Sequence, residues 1–240
     1  MTGRLVVVGT GIGAARLTAE ARAAIEAADE LLYLIPDPVS VHAVGQLNPR
    51  SRSLEHCYVE GEHRRNAYAR MVETILAPVR DGRNVCAAFY GHPGVFVLPS
   101  HEAVKQARSE GFEAMMLPGI SAEDCLFADL GVDPAEAGCQ SYEATRFLER
   151  RPAIEPRAAL ILWQIGVVGS ANHSAEPVAP RLTELVERLR GLYPDEHEVV
   201  VYEASSFVGI APLIRPTPLA DLAAAVTPAS TLYVPPLAKP

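Results

Sequence analysis

Asn84-Val85-Cys86-Ala87-Ala88-Phe89-Tyr90-Gly91-His92-Pro93-Gly94-Val95-Phe96-Val97 is the stretch on which the reading of this chain turns. Asn84 to Tyr90 reads as a buried strand, and Gly91-His92-Pro93-Gly94 forces a tight turn at its carboxyl end. In open α/β sheets ligands sit at that end of the strands. Glycine there lets the backbone approach a ligand closely, which a residue with a side chain does not allow. Upstream, Tyr58, Arg64 and Tyr68 put two phenols and a basic fork in one short region, which packing an ordinary surface helix does not call for. The stretch predicts an α/β fold with an active site beyond Tyr90.

The flanking sequence agrees with a sheet of that kind. Leu5 to Val8 is a short β-branched run that ends at Gly9-Thr10-Gly11-Ile12-Gly13. An alanine-rich helix from about Leu17 to Ala28 and a strand from Leu31 to Ile35, stopped by Pro36-Asp37-Pro38, complete a βαβ opening, the signature of a parallel sheet. A helix is expected from Arg64 to Val79, another from Pro99 through Ser109, and a strand from Ala114 to Leu117. After Pro118-Gly119 the pattern changes. Ser121 is placed to cap a short helix through Leu130, with Asp124 at the third position in a weakened capping box. Ala158 to Trp163, Glu198 to Tyr202 and Thr231 to Val234 read as strands, with a polar helix from Pro180 to Leu192, and Pro152 to Pro156 and Pro212 to Pro218 read as loops. Two α/β lobes, 1–117 and 118–240 with a cleft between them, are the expected organisation.

Composition narrows the function classes. The chain is long enough at 240 residues to bury a real core. Acidic residues outnumber basic ones 29 to 21, and Lys/Arg runs no longer than Arg64-Arg65 or Arg150-Arg151 occur, which argues against a nucleic acid partner. The four cysteines, Cys57, Cys86, Cys125 and Cys139, show neither Cys-x-x-Cys spacing nor a histidine at metal-finger distance, so no metal site is expected and reduced thiols are. The start, Met1-Thr2-Gly3-Arg4, lacks a signal-peptide cleavage pattern. No apolar run approaches the ~20 residues needed to cross a bilayer. A soluble cytoplasmic protein with no membrane partner follows as the expectation.

Gly9-x-Gly11-x-x-Ala14 after a strand, with Asp37 just past the second strand, satisfies a loose dinucleotide fingerprint and keeps an NAD(P)-dependent oxidoreductase as a reading from another class. Small residues at a strand-to-helix turn also serve folds that bind no phosphate. If a helix begins near Arg64, Arg64 and Tyr68 share one face. The blander alternative is a solvated arginine stacked on a tyrosine. His63, Arg65 and Arg70 read as surface charges, and His56 has no metal-ligating companion. Gln164 in an apolar strand is a buried amide that needs partners.

Beyond these local readings, Tyr90 to Val97, Leu117-Pro118-Gly119-Ile120-Ser121-Ala122-Glu123-Asp124-Cys125, Phe127-Ala128-Asp129-Leu130, Tyr142-Glu143-Ala144, Trp163-Gln164-Ile165-Gly166 and Ser230-Thr231-Leu232-Tyr233-Val234-Pro235-Pro236 follow one another in an order and spacing that closely resembles the borosin peptide α-N-methyltransferases. These lie within the tetrapyrrole methylase-like class of S-adenosylmethionine (SAM) enzymes. The resemblance implies a two-lobed α/β fold, a parallel-sheet N-terminal lobe with the catalytic residues and a mixed-sheet C-terminal lobe that completes the cofactor cleft. It implies SAM as cofactor, with S-adenosylhomocysteine as product, and a homodimer. It carries cofactor contacts onto Tyr90, His92, Val95, Phe96, Ser121, Ala122, Gln164, Ser230 and Thr231, with Ala204 as a further candidate, and catalytic roles onto Tyr58, Arg64, Tyr68 and Tyr90. Tetrapyrrole methylases commonly carry Asp where this chain has His92, which favours the peptide-modifying branch. Ser121 is equally read as a helix cap, and Val95 or Phe96 as core.

The expected chemistry is removal of a proton from a peptide N–H and stabilisation of the resulting imidate oxygen. A cation beside a tyrosine lowers its pKa by ~1–3 units, and Arg64 is placed to do so while its fork holds the amide oxygen. Which of Tyr58 and Tyr68 is the base stays open. The chain ends at Pro240 without a clasp domain or core peptide, so a separate precursor acting in trans is expected. Methylation of a tetrapyrrole carbon is the alternative on the same fold, and a catalytically silent SAM-binding module a more distant one.

Overall fold

The β-branched run at the start of the chain becomes β1 (Arg4–Gly9), followed by α1 (Ala19–Ala27), β2 (Glu30–Leu34), α2 (Pro38–Leu47), β3 (Ser51–Ser53), α3 (Arg64–Arg80), β4 (Asn84–Phe89), α4 (Leu98–Ser109), β5 (Glu113–Met116) and α5 (Ala122–Leu130). The computed structural model describes residues 3–174 and 178–238; Met1, Thr2, Lys239 and Pro240, on which the readings of the chain's two ends fall, lie outside them. Two compact units divide the chain, Met1–Cys125 with Ser205–Ile210, and Leu126–Ala204 with Ala211–Pro240.

The first unit is built on a parallel sheet in the order β3-β2-β4-β1-β5. Its central strand β4 shows why the sequence is apolar at successive positions. Val85, Ala87 and Phe89 enter a cluster with Met71, Ile75, Leu76 and Val79 of α3 and Ala103 and Ala107 of α4. Cys86 and Ala88 enter a second cluster with Ala21 and Ile25 of α1 and Val44 of α2. Helices therefore cover both faces, as a purely parallel sheet requires. One helix was not legible: Pro36-Asp37-Pro38 reads as a stop, yet Asp37 caps α2 by accepting from the Ser40 amide at 2.7 Å, and Pro38 occupies the first turn. Proline there sacrifices an amide that had no helical partner in any case. The short polar strand β3 at the sheet edge was likewise unforeseen.

The second unit contains α6 (Pro134–Ala137), β6 (Cys139–Glu143), α7 (Ala144–Arg150), β7 (Ala159–Trp163), α8 (Leu182–Arg190), β8 (Glu198–Glu203), β9 (Leu213–Pro218), α9 (Leu222–Ala225) and β10 (Thr231–Val234). Its sheet runs β6-β7-β10-β8-β9, parallel between β6 and β7 and antiparallel elsewhere. Phe147, Leu160, Leu162, Leu185, Leu189, Val199, Val201 and Leu232 form its core. The proline-rich piece expected as a loop is a strand. β9 lies at the edge of the sheet against β8, with Arg215 opposite Val201, and an edge strand tolerates prolines because one row of amides needs no ladder partner.

Candidate active site

The first unit gathers most of the candidate residues at the carboxyl ends of its strands. Tyr90 follows β4, and its amide donates to Leu34 O at the end of β2. Gly91 and Gly11 exchange backbone hydrogen bonds of 3.2 and 2.9 Å. A Cβ on Gly9 would stand 2.3 Å from Gly91 O and 3.0 Å from Gly119 Cα, so three backbones meet where no side chain fits. The His92 ring is fixed because Nδ1 accepts from the Gly94 amide at 2.9 Å. Phe96 has φ of 57°, a left-handed conformation that an aromatic residue rarely adopts, and its ring is half exposed beside an exposed Val95. Ser121 and Asp124 make the reciprocal cap the sequence indicated. The Ser121 amide and hydroxyl donate to Asp124 Oδ2 at 2.7 and 2.6 Å, and the Asp124 amide donates back to Ser121 Oγ at 3.2 Å. Ala122 opens α5 directly after it.

Tyr58, Arg64 and Tyr68 reach the same end of the sheet by a different route. α3 begins at Arg64 and runs back towards the start of β4, so its first turns lie at the strands' carboxyl ends. The Tyr58 and Tyr68 rings meet edge to face, 6.5 Å between centroids at 75°. Burial pushes the Tyr58 phenol up to about 12, helped by the negative charge and hydrogen bond of Tyr68, while the Arg64 cation pulls the other way and is outweighed. The expectation that Arg64 makes its neighbouring tyrosine acidic thus fails for Tyr58, because desolvation of the charged form costs more than the cation returns. Arg70, read as a surface charge, is a brace: Nε and Nη2 donate to Cys57 O at 3.0 and 2.7 Å, and Nη2 pairs with Glu62 at 2.5 Å. It ties down the backbone that carries Tyr58.

Tyr90 has its own setting. Burial raises its pKa, with Asp37 and Cys125 adding to the rise, whereas a hydrogen bond from Ser206 and the charge of Arg16 lower it. Sequence reading did not single out Arg16 or Ser206, which lie 74 or more positions away from Tyr90 and reach it only through the fold.

In the second unit Gln164, Ala204, Ser230 and Thr231 share one end of the mixed sheet. Gln164 follows β7, Ala204 follows β8, and Thr231 opens β10 opposite Tyr202. Gln164 is not the buried strand amide the sequence indicated. It is exposed, with φ of 60°, because the strand stops at Trp163 and the chain turns through a left-handed residue into a short 3-10 helix. Ser230 is buried, accepts from the Thr227 amide at 2.9 Å and donates to Glu203 at 3.0 Å.

The dinucleotide fingerprint does not assemble the geometry it needs. A phosphate-binding glycine run opens onto a helix N-terminus, but here a 3-10 turn, Ala14–Arg16, intervenes and α1 starts at Ala19 under its own cap, Thr18 Oγ1, which accepts from the Ala21 amide at 3.1 Å. Asp37, the acid of the fingerprint, is the α2 cap. Among the described residues no group of three or more His, Cys, Asp or Glu is placed to hold a metal ion.

The family model for tetrapyrrole (corrin/porphyrin) methylases matches residues 4–222. The methyltransferase/ribosomally synthesized cyclic peptide dendrothelin A precursor of Dendrothele bispora is 42% identical over 244 residues, covering 99% of this chain and 58% of that one. The corresponding omphalotin A precursor of Omphalotus olearius is 41% identical over 244 residues, covering 99% and 58%. The chain spans less than two thirds of the length of these curated relatives. A uroporphyrin-III-C-methyltransferase from Thermus thermophilus superposes with a TM-score of 0.67 at 21% identity, over 98% of this chain and 93% of that one. A cobalt precorrin-4 methyltransferase does so with a TM-score of 0.69 at 18%, over 97% and 94%. At these identities the likeness is one of fold.

Proposed function

The chain belongs to the tetrapyrrole (corrin/porphyrin) methylase family, and on that footing we propose that it is a SAM-dependent methyltransferase that N-methylates backbone amides of a precursor peptide. One observation carries the reading: two hydrogen-bonded phenols and a guanidinium, Tyr58, Tyr68 and Arg64, stand at the same sheet end as the glycine-lined Tyr90 loop. The likeness to methyltransferases whose own names include a peptide precursor supports the choice of substrate.

The residues present fit the cofactor. Phe96 and Gln164 hold left-handed backbones while their side chains stay exposed, the kind of strain that persists where a ligand is met. The candidate contacts are Tyr90, His92, Val95, Phe96, Ser121 and Ala122 in the first unit and Gln164, Ala204, Ser230 and Thr231 in the second. None is a lysine, an arginine or a carboxylate. Such a neutral set suits ribose and adenine hydroxyl and amine groups, and brings no cation against a sulfonium. SAM, when bound, supplies an electrophilic methyl group.

The chain's own residues supply the rest. A peptide nitrogen is a poor nucleophile because its lone pair is delocalised into the carbonyl. A Tyr58 phenol pushed up to about 12 by burial and by its hydrogen bond with Tyr68 supports Tyr68 as the base and Tyr58 as its hydrogen-bond donor. Tyr68, acting as its phenolate, would take the peptide N–H proton and become a neutral phenol, the Arg64 fork would hold the amide oxygen as charge develops, and the freed nitrogen would take the methyl group that SAM supplies. Tyr90 orients the donor for in-line attack. The substrate in this proposal belongs to a separate precursor chain and the enzyme acts as a homodimer.

Incubation of the protein with SAM and a precursor peptide tests the reading. Methyl groups are expected on backbone nitrogens of the second chain by tandem mass spectrometry, and proline at the target position blocks reaction because it has no N–H. Methylation of this chain itself replaces the in-trans reading by one in cis. Methylation of a corrin or porphyrin carbon, the alternative on the same fold, rejects the peptide assignment. Calorimetric binding of NAD(P) tighter than SAM rejects the cofactor.

A further inference from the structure

The glycine run after β1 seats a segment from late in the chain. Arg16, in the turn that ends the run, donates from Nη1 to the Ser205 carbonyl oxygen at 2.9 Å. A Cβ on Gly13 would stand 2.4 Å from Ser206 O, so that backbone rests on a residue with no side chain. Ser205–Ile210 accordingly belongs to the first unit, although its chain neighbours on both sides belong to the second. The Ser206 side chain hydrogen-bonds the Tyr90 phenol. Past this contact the segment is open: Phe207 and Val208 are 47% and 84% exposed, and nothing lies within 4 Å of where a Cβ of Gly209 would be.

We propose that Gly13 and Arg16 form a clasp that seats Ser205 and Ser206 against Tyr90, making Arg16 and Ser206 positioning residues that set the direction of the Tyr90 phenol. The inference rests on the reading of Tyr90 as the residue that orients the methyl donor. A phenol that accepts from a seated hydroxyl has one direction; released, it turns under the other fields around it. Two oppose each other here. Arg16 attracts the phenol oxygen, and Asp37, whose Oδ2 is buried without a hydrogen-bond partner among the described residues, repels it. The clasp thus makes use of the glycine motif that no phosphate claims, and it explains why Gly13 carries no side chain.

Three readouts test it in the full-length protein. In Arg16→Ala, chymotrypsin should cleave after Phe207 about tenfold faster or more, the weight of one lost charge-assisted hydrogen bond. In Ser206→Ala the ionisation of Tyr90, read by ultraviolet titration as the difference from Tyr90→Phe, should move upward, and Ser206→Thr should restore it. With SAM and peptide, Ser206→Ala should lower kcat about tenfold with KM for the peptide unchanged, again restored by Ser206→Thr. Should Arg16→Ala not fold, Gly13→Ala displaces Ser206 by crowding alone and gives the same cleavage readout. Unchanged cleavage together with unchanged Tyr90 ionisation overturns the clasp, and a shifted ionisation with unaltered kcat overturns its positioning role. If the clasp readouts move while the wild-type protein neither binds SAM nor transfers methyl groups, the methyltransferase reading falls and the clasp stands.

Discussion

Tyr68→Phe removes the proposed base while leaving the ring packed against Tyr58. Methyl transfer should fall about 10²–10⁴-fold, the usual weight of general base catalysis, with SAM affinity by calorimetry little altered. Tyr58→Phe removes only a donor to that base and should cost about tenfold to a hundredfold, the weight of a hydrogen bond to a charged group. Tyr68→Phe with Arg64→Ala should be little worse than the worse single variant, because the groups act as a unit. Tyr58 also links stability to pH. Burial pushes its folded pKa up to about 12, above the ordinary phenol value of about 10. The folded state therefore holds a proton that the unfolded chain releases, so the contribution is complete below about pH 10 and is lost as pH rises towards 12. Denaturant titrations should show that fall in wild type and a smaller one in Tyr58→Phe. That Arg64 and Tyr68 share one helix face was legible in the sequence from their spacing, whereas their proposed roles with Tyr58 rested on the family resemblance. The direction of the phenol hydrogen bond was not legible, since it depends on burial contributed by elements remote in sequence. Gln164 misled for a similar reason: the strand ends at Trp163 as its sequence indicates, but nothing local announces that the next residue turns left-handed and leaves its amide exposed.

Among the elements, α5 gives the cleanest stability test. Ser121→Ala deletes both halves of the hydroxyl's exchange with Asp124 and should cost about 1 kcal/mol by urea unfolding, the usual price of a lost cap. Gly9→Ala forces a methyl into the backbone of Gly91 and Gly119 and should cost about 1–3 kcal/mol, as overpacking does. The strands β4, β7, β8 and β10 could be read from sequence to within a residue or two because apolar, β-branched runs have few alternatives there. α2 and β9 could not, and proline is the cause both times. Its missing amide is a defect in the middle of an element but harmless in a helix's first turn, as at Pro38, or on an outer strand, as in Leu213–Pro218. Position within the fold decides which, and a sequence does not show its sheet edges.

At the scale of the whole molecule, a ligand that binds the native state alone stabilises it by mass action. SAM at one hundred times its Kd should add about 2.7 kcal/mol, read as a rise in Tm that NAD does not match. Light scattering tests the proposed homodimer by mass. No helix among the described residues is long and apolar enough to cross a membrane. The division into a parallel and a mixed sheet could be anticipated from the family resemblance and from the break in pattern near Pro118, whereas the membership of Ser205–Ile210 in the first unit could not, because it is a contact property without a local motif. The double-sided covering of β4 has one more consequence. Cys86 sits at its centre with none of its surface exposed, and burial pushes its thiol up to about 12. An alkylating reagent needs a thiolate in water, so it must wait until the helices part from the sheet. Under saturating reagent, the labelling rate of Cys86 becomes a stopwatch for the opening of the first unit, running in the unmodified protein without any introduced dye.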